Sequence, residues 1–147
     1  MIPNEVLAIL LPLARQSEGC RLEAYQDSDG VWTIGDGHTG PEVQPSLVWS
    51  QAEADTHFAA DLDTHYKQLL AVSPTVSTQT PGRQAALTDF VYNEGIGNYK
   101  HSLLRSAVDV QAWKNVQTQL ARWIYGSGRV LPGLVARRNA EIVLIDA

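Results

Sequence analysis

Glu18, Asp27 nine residues on, and Thr33 six further bracket a glycine-bearing turn. Cleaving a glycosidic bond takes one carboxylic acid to protonate the leaving oxygen and a second carboxylate to activate water. A hydroxyl beside the second carboxylate can hold that water. Glu18, Asp27 and Thr33 supply this set within sixteen residues. Spacing alone does not decide the matter. An aspartate in an Asp27-Ser28-Asp29-Gly30 turn is ordinary turn chemistry, and a glutamate at a helix C-terminus meets the negative end of the dipole.

The local pattern does place the three groups well. Val6, Leu7, Leu10, Leu13 and Ala14 recur at three- and four-residue spacing, which predicts a helix over 3–18. Pro12 either kinks that helix or starts a second short one. Glu18 then sits at the helix end with Gly19 as the stop. Tyr25 and Val31-Trp32-Thr33-Ile34 suit strands, and the Asp27–Gly30 turn joins them into a hairpin. Gly35, Gly37 and Gly40 predict further tight turns. Enclosed at its helix end, Glu18 meets conditions that raise a carboxyl pKa, as a general acid needs, whereas Asp27 in a turn stays solvated and ionised.

Downstream, Ser50-Gln51-Ala52-Glu53 is a capping box that opens a helix to about Val72, with Phe58, Leu62, Tyr66 and Leu69 on one stripe. Its length of roughly 30 Å is enough to join two lobes. Residues 73–80 read as a loop. Everything after Thr80 reads as helical. Thr80 caps a helix with Pro81 at its first position and Leu87, Phe90 and Val91 buried. Residues 93–98 form a turn, and Leu103 and Leu104 lie on a short helix. Asp109 caps a helix carrying Trp113, Val116, Leu120, Trp123 and Ile124, which Gly126-Ser127-Gly128 breaks. Pro132 starts a last helix that buries Leu134, Val135, Ile142 and Ile145.

Composition narrows the function. The 147 residues, 44% hydrophobic and 18% charged, suit one domain with its own core. The one cysteine, Cys20, can form no internal disulfide and reads as a small buried hydrophobe. A net charge of −5 argues against nucleic acid as a partner. The apolar run Val6–Leu11, halted by Pro12, falls far short of the ~20 residues of a membrane span. No basic leader precedes it, so no export segment is expected. His38, His57, His65 and His101 make no metal-ligand spacing. No metal or cofactor is expected. His57 and His65, eight apart on the long helix, read as a solvated face, and Trp113 and Trp123 as core.

The Glu18/Asp27/Thr33 spacing, followed by Gly35-Asp36-Gly37-His38, resembles the signature of the phage-type lysozymes (endolysins, glycoside hydrolase family 24). The blocks Gln84–Gly97, Arg122-Trp123 and Gly133–Glu141 are similar to that family's later segments, in the same order. The resemblance implies an α+β, two-lobed, mostly helical fold within a single domain, 1–147. A small lobe with a β-hairpin would span about 13–50, a linking helix about 51–72 and a helical lobe about 80–147, with a cleft between the lobes. It implies a muramidase cutting the β-1,4 bond between N-acetylmuramic acid and N-acetylglucosamine in bacterial peptidoglycan.

By the same resemblance, Glu18 is the acid, Asp27 the base, and Thr33 helps position the water. Inversion at the anomeric carbon is implied, with the carboxyl groups about 6.5–9.5 Å apart to admit the water. Gly37, His38, Thr39 and Asn93 are candidate substrate contacts, with His38 ordering the hairpin through a hydrogen bond. A monomer made in the host cytoplasm, reaching the wall after the membrane is breached, completes the expectation. Two alternatives remain at this point: a lytic transglycosylase, in which Asp27 and Thr33 would be idle, and a non-catalytic wall-binding scaffold.

Asp36 departs from the family pattern, which carries a Tyr or another apolar or aromatic residue there. A third carboxylate near the cleft either acts on Glu18 or pairs with a base and faces away. Arg105, Arg122, Arg137 and Arg138 either offset the acidic balance before an anionic substrate or serve structure. For Arg137 and Arg138 the structural role is the simpler reading.

Overall fold

Three apolar clusters, one per structural layer, organise the computed structural model, which describes residues 1–147. The first layer begins with α1 (Asn4–Glu18), whose buried face carries Val6, Leu10 and Ala14. These pack with Ile2 on Phe58, Leu62 and Tyr66 of α2 (Gln51–Val72) and on Ala85. The first dozen residues are therefore anchored to the core through Ile2, Val6 and Leu10. Pro12 lies inside α1 without ending it. Gly19 follows Glu18 at φ 68°, a left-handed conformation that glycine adopts freely. The chain consequently turns away directly after the glutamate.

The second layer is a small antiparallel sheet in the order β1 (Arg21–Gln26), β2 (Trp32–Gly35), β3 (His38–Thr39). The expected hairpin is present, and the Asp36-Gly37 turn adds a third strand to it. Ile34, Val43, Trp49 and Ala54 form its own core. α2 begins with the full capping box, the Ser50 hydroxyl accepting from the Glu53 N–H at 3.1 Å and the Glu53 carboxylate from the Ser50 N–H at 3.3 Å.

The third layer is helical: α3 (Pro81–Glu94), α4 (Ile96–Lys100), α5 (Leu103–Asp109), α6 (Trp113–Leu120) and α7 (Pro132–Ile145). Leu69, Leu87, Phe90, Val91, Tyr99, Leu104, Val116, Leu120 and Ile145 fill its core. Trp123 meets Phe90 edge-on at 5.3 Å, and Trp113 lies under the Arg83 guanidinium at 4.2 Å. Thr80 caps α3 as the sequence predicts, accepting from the Arg83 N–H. No helix is long and apolar enough to cross a membrane.

Several local expectations need correction. The loop at 73–80 contains a 3-10 helix, Pro74–Thr78. Asp109 ends α5 instead of capping α6, because its carboxylate is taken by the Ser73 hydroxyl at 2.7 Å and Arg105 at 2.9 Å. The helix expected through Ile124 stops at Leu120, and Tyr125–Gly126 pairs with Arg129–Val130 as β4 and β5. Ser127 and Gly128 turn that hairpin with positive φ, so the supposed helix breaker is a turn. On α7, Leu134, Val135 and Ile142 are only half-buried. Arg137, Arg138, Glu141 and Ile145 are the buried residues. Cys20 is exposed, not buried.

Candidate active site

Glu18 is the last residue of α1 and lines two adjoining cavities, of about 390 and 690 Å³. The smaller is walled by Gly37, His38 and Thr39 of the sheet, Asp61 and His65 of α2, and Tyr92 and Asn93 of α3. The larger runs between the end of α1 and the start of α7, and includes Leu131, Leu134 and Arg137. Asn93 borders both, so the two form one groove that passes Glu18. Gly37, His38, Thr39 and Asn93, the four proposed contacts, are thus gathered with Glu18. Asp27 and Thr33 lie on the β1–β2 hairpin, outside the lining of both cavities.

The hairpin shapes those two residues tightly. Asp27 Oδ1 accepts the Asp29 and Val31 N–H groups at 2.8 and 2.9 Å, which fixes the carboxylate in the turn. Thr33 is buried, and its hydroxyl donates to the Val31 carbonyl at 3.0 Å. The threonine proton is therefore spent, and the oxygen lone pairs remain to accept.

Glu18 has a partner that the sequence did not disclose. Arg137 Nη1 donates to Glu18 Oε1 at 2.7 Å, while its Nε and Nη2 hold the fully buried Asp89 at 2.9 and 2.7 Å. The expectation of a carboxyl enclosed only by burial and a helix end is thereby corrected, because the enclosure contains a guanidinium. Burial works against the charge on Arg137, but the hydrogen bonds and charges of Asp89 and Glu18 outweigh it and push its pKa up. Next along α7, Arg138 donates to Asn93 Oδ1 and lies 3.1 Å from the buried Glu141. Burial, reinforced by Asp89, holds the Glu141 pKa well above the usual carboxylate range. Both arginines are held in buried ion pairs, Arg138 among Asn93, Glu94 and Glu141, whereas Arg137 also reaches the groove through Glu18. Arg105 and Arg122 are engaged by Asp109 and Gln119.

Gly37 floors the groove. Its φ is +90°, and a Cβ there would stand 3.0 Å from Glu18 Oε2. Any other residue would be strained at that φ and would press on the Glu18 carboxylate. The turn is held from two sides. Tyr92 donates its hydroxyl to the Asp36 carbonyl at 2.6 Å. Burial, then the charges of Glu18 and Asp61, push the Tyr92 pKa up, so it remains a donor. The Asp36 side chain points away from the groove onto Arg15. Of the two readings of Asp36, pairing with a base is the one observed.

The His38 side chain bonds not to the β1–β2 hairpin, as expected, but to α2 and to the loop that follows β3. Nδ1 meets Asp61 at 2.6 Å and Nε2 meets Glu42 at 2.5 Å. The solvated-face reading of His57 and His65 fails. His57 stacks on Trp49 at 4.0 Å, and His65 is half-buried in the groove wall. Tyr92, Asp61, His65 and Arg137 are the site residues that sequence reasoning missed. Only the Asp61–His65 pair left a signal, since four-residue spacing puts both on one helix face. No cluster of potential metal ligands is present.

Residues 15–141 match the phage lysozyme family. The chain belongs to that family. The SAR-endolysin of Bacteriophage PS119 is 35% identical over 125 residues, covering 84% of this chain and 73% of the relative. The endolysin of Bacillus phage B103 is 31% identical over 137 residues, covering 90% of this chain and 50% of the relative. The muramidase domain of SpmX from Asticaccaulis excentricus superposes with a TM-score of 0.86 at 25% identity, covering 100% of this chain and 98% of that one. The active form of P1 phage endolysin Lyz shares the fold, at a TM-score of 0.80 and 20% identity over 97% of this chain and 83% of that one. As a phage lysozyme, the chain is a glycoside hydrolase acting on peptidoglycan.

Proposed function

We propose that the groove cleaves the β-1,4 bond between N-acetylmuramic acid and N-acetylglucosamine by inversion, with Glu18 as acid and Asp27 as base. The observation that carries this reading is the placement of Glu18. It ends α1, borders both halves of the groove, and has one oxygen held by Arg137. With Oε1 accepting from Arg137, a proton on the carboxyl resides on Oε2, the oxygen over Gly37. That proton goes to the glycosidic oxygen as the bond to the anomeric carbon breaks.

A water attacks from the opposite face of the sugar. Asp27 takes one of its protons through the carboxylate oxygen not engaged by the turn. Its second hydrogen is donated to Thr33 Oγ1, whose own proton is committed to Val31. The water oxygen is thus aimed by two acceptors. Gly37, His38, Thr39 and Asn93 hold the sugars, and no cofactor takes part. The protein works as a monomer without nucleic acid. It accumulates in the host cytoplasm and meets the wall once the membrane is permeabilised.

The test is digestion of purified peptidoglycan with the products read by mass. Hydrolysis yields reducing ends, a transglycosylase yields anhydro ends, and a scaffold releases nothing. Glu18→Gln and Asp27→Asn are each expected to lose activity by at least a hundredfold. A variant that keeps substantial turnover removes that residue from the mechanism.

A further inference from the structure

The wall of the groove facing the sheet holds two polar groups whose hydrogen-bonding sense is fixed by their neighbours. His65 Nδ1 lies 2.7 Å from the Asp61 main-chain carbonyl. A carbonyl only accepts, so Nδ1 carries the hydrogen and the neutral ring keeps its lone pair on Nε2. Nε2 has no partner in the protein, and the ring lines the cavity that holds Glu18. The edge of Tyr92, with ring centroids 5.1 Å apart at 87°, limits rotation of the imidazole. Asn93 lines the same cavity, and its Oδ1 faces Arg138 Nη2. Arginine only donates, so the amide orientation is settled and Nδ2 is left as a donor.

One acceptor and one donor, each pre-set and unpaired, therefore border a single polar cavity. That complement matches a secondary amide, whose N–H donates to an imidazole nitrogen while its carbonyl accepts from a carboxamide. We infer that His65 is a substrate-contact residue that, with Asn93, recognises a secondary amide of the substrate through Nε2. Peptidoglycan carries such amides in the acetamido groups of its sugars and in its stem peptides. The inference rests on the proposed placement of substrate in this groove, but not on the role of Glu18 in the chemistry.

The test is binding, by calorimetry, in a Glu18→Gln background so that ligand is not consumed. Three ligands are titrated: peptide-free glycan strands, the same strands after N-deacetylation, and strands that keep their stem peptides. His65→Leu is expected to weaken binding by about fivefold, as loss of one hydrogen bond does. His65→Gln, which retains an acceptor, is expected to recover most of it and guards against a folding defect. A loss on peptide-free strands that vanishes after N-deacetylation assigns the acetamido group. A loss confined to strands with stem peptides assigns a peptide amide. Equal affinity of the His65→Leu and parent proteins for all three ligands overturns the proposal. Full lytic activity of Glu18→Gln would instead overturn the acid assignment, and the loss of the His65 contact would then be read as a rise in KM of the His65→Leu protein on the same three ligands.

Discussion

Asp36 and Arg15 form a two-pronged ion pair, Nε to Oδ1 at 3.1 Å and Nη2 to Oδ2 at 3.2 Å. Arg15 lies three residues before Glu18 on the same helix, and Asp36 lies directly before Gly37, whose backbone packs against the Glu18 carboxylate. The helix that presents the acid thus also grips the turn that floors it. Asp55 of α2 shares Arg15 Nη2 at 2.9 Å, which joins three elements.

The two partners are unequally exposed, at 39% for the Arg15 side chain and 1% for Asp36. Removing Arg15 strands a carboxylate in the interior, whereas removing Asp36 frees an arginine that already reaches water. Arg15→Met should therefore cost about 2–3 kcal/mol and Asp36→Asn about 1 kcal/mol, below a fully buried pair because Arg15 is solvated. Urea unfolding of the two variants reads the difference. Equal losses would show that the burial of Asp36 is not what makes the pair matter.

Gly37→Ala should separate structure from function. The added methyl meets Glu18 Oε2 at 3.0 Å, and an alanine at φ +90° is strained. The variant should fold with a loss of about 1–2 kcal/mol and lose at least tenfold in kcat, as a displaced acid implies. Wall-clearing rates at saturating substrate check it. Unchanged kcat would mean that the floor of the groove tolerates the methyl and does not position Glu18.

His38 predicts a pH dependence. Burial lowers its pKa, but the bonds to Glu42 and Asp61 overcome that and raise it above 6.5. Glu42, bonded to His38, is lowered below 4.5. A raised imidazole stabilises the fold below its unfolded value, and that stability is lost as pH rises through the folded value. A lowered carboxylate stabilises above its unfolded value, and that contribution is lost as pH falls. The clamp is consequently strongest between about 4.5 and 6.5. His38→Gln should lower the urea midpoint more at pH 5.5 than at pH 8.5. A larger effect at the higher pH would reverse the assigned sign.

The elements flanking the site were legible because local rules govern them. Gly19 stops α1 after Glu18, Ser50 and Glu53 cap α2, and Pro81 opens α3. The β4–β5 hairpin was not, because Trp123 and Ile124 extend the helical spacing of α6 past its true end at Leu120. At the site, resemblance pointed to Gly37, His38 and Thr39, and a turn position to Asn93, and all four line one cavity with Glu18. The partners of Glu18 could not be named, since Arg137 is 119 residues away in sequence and Asp89 reaches the same guanidinium from a third element. Buried ion pairs of that kind follow from packing, and no periodicity signals them. Asp36 shows the same limit, because which of several bases it meets depends on how α1 crosses the sheet.

Inverting hydrolysis at the groove past Glu18 fixes which anomer is released first. Proton NMR of the reducing ends released from peptidoglycan, recorded before mutarotation equilibrates them, tests it most directly. The α-anomer should appear first from the unmodified protein, and no reducing ends should appear with Glu18→Gln. First appearance of the β-anomer, or anhydro ends in place of reducing ends, would contradict inverting hydrolysis.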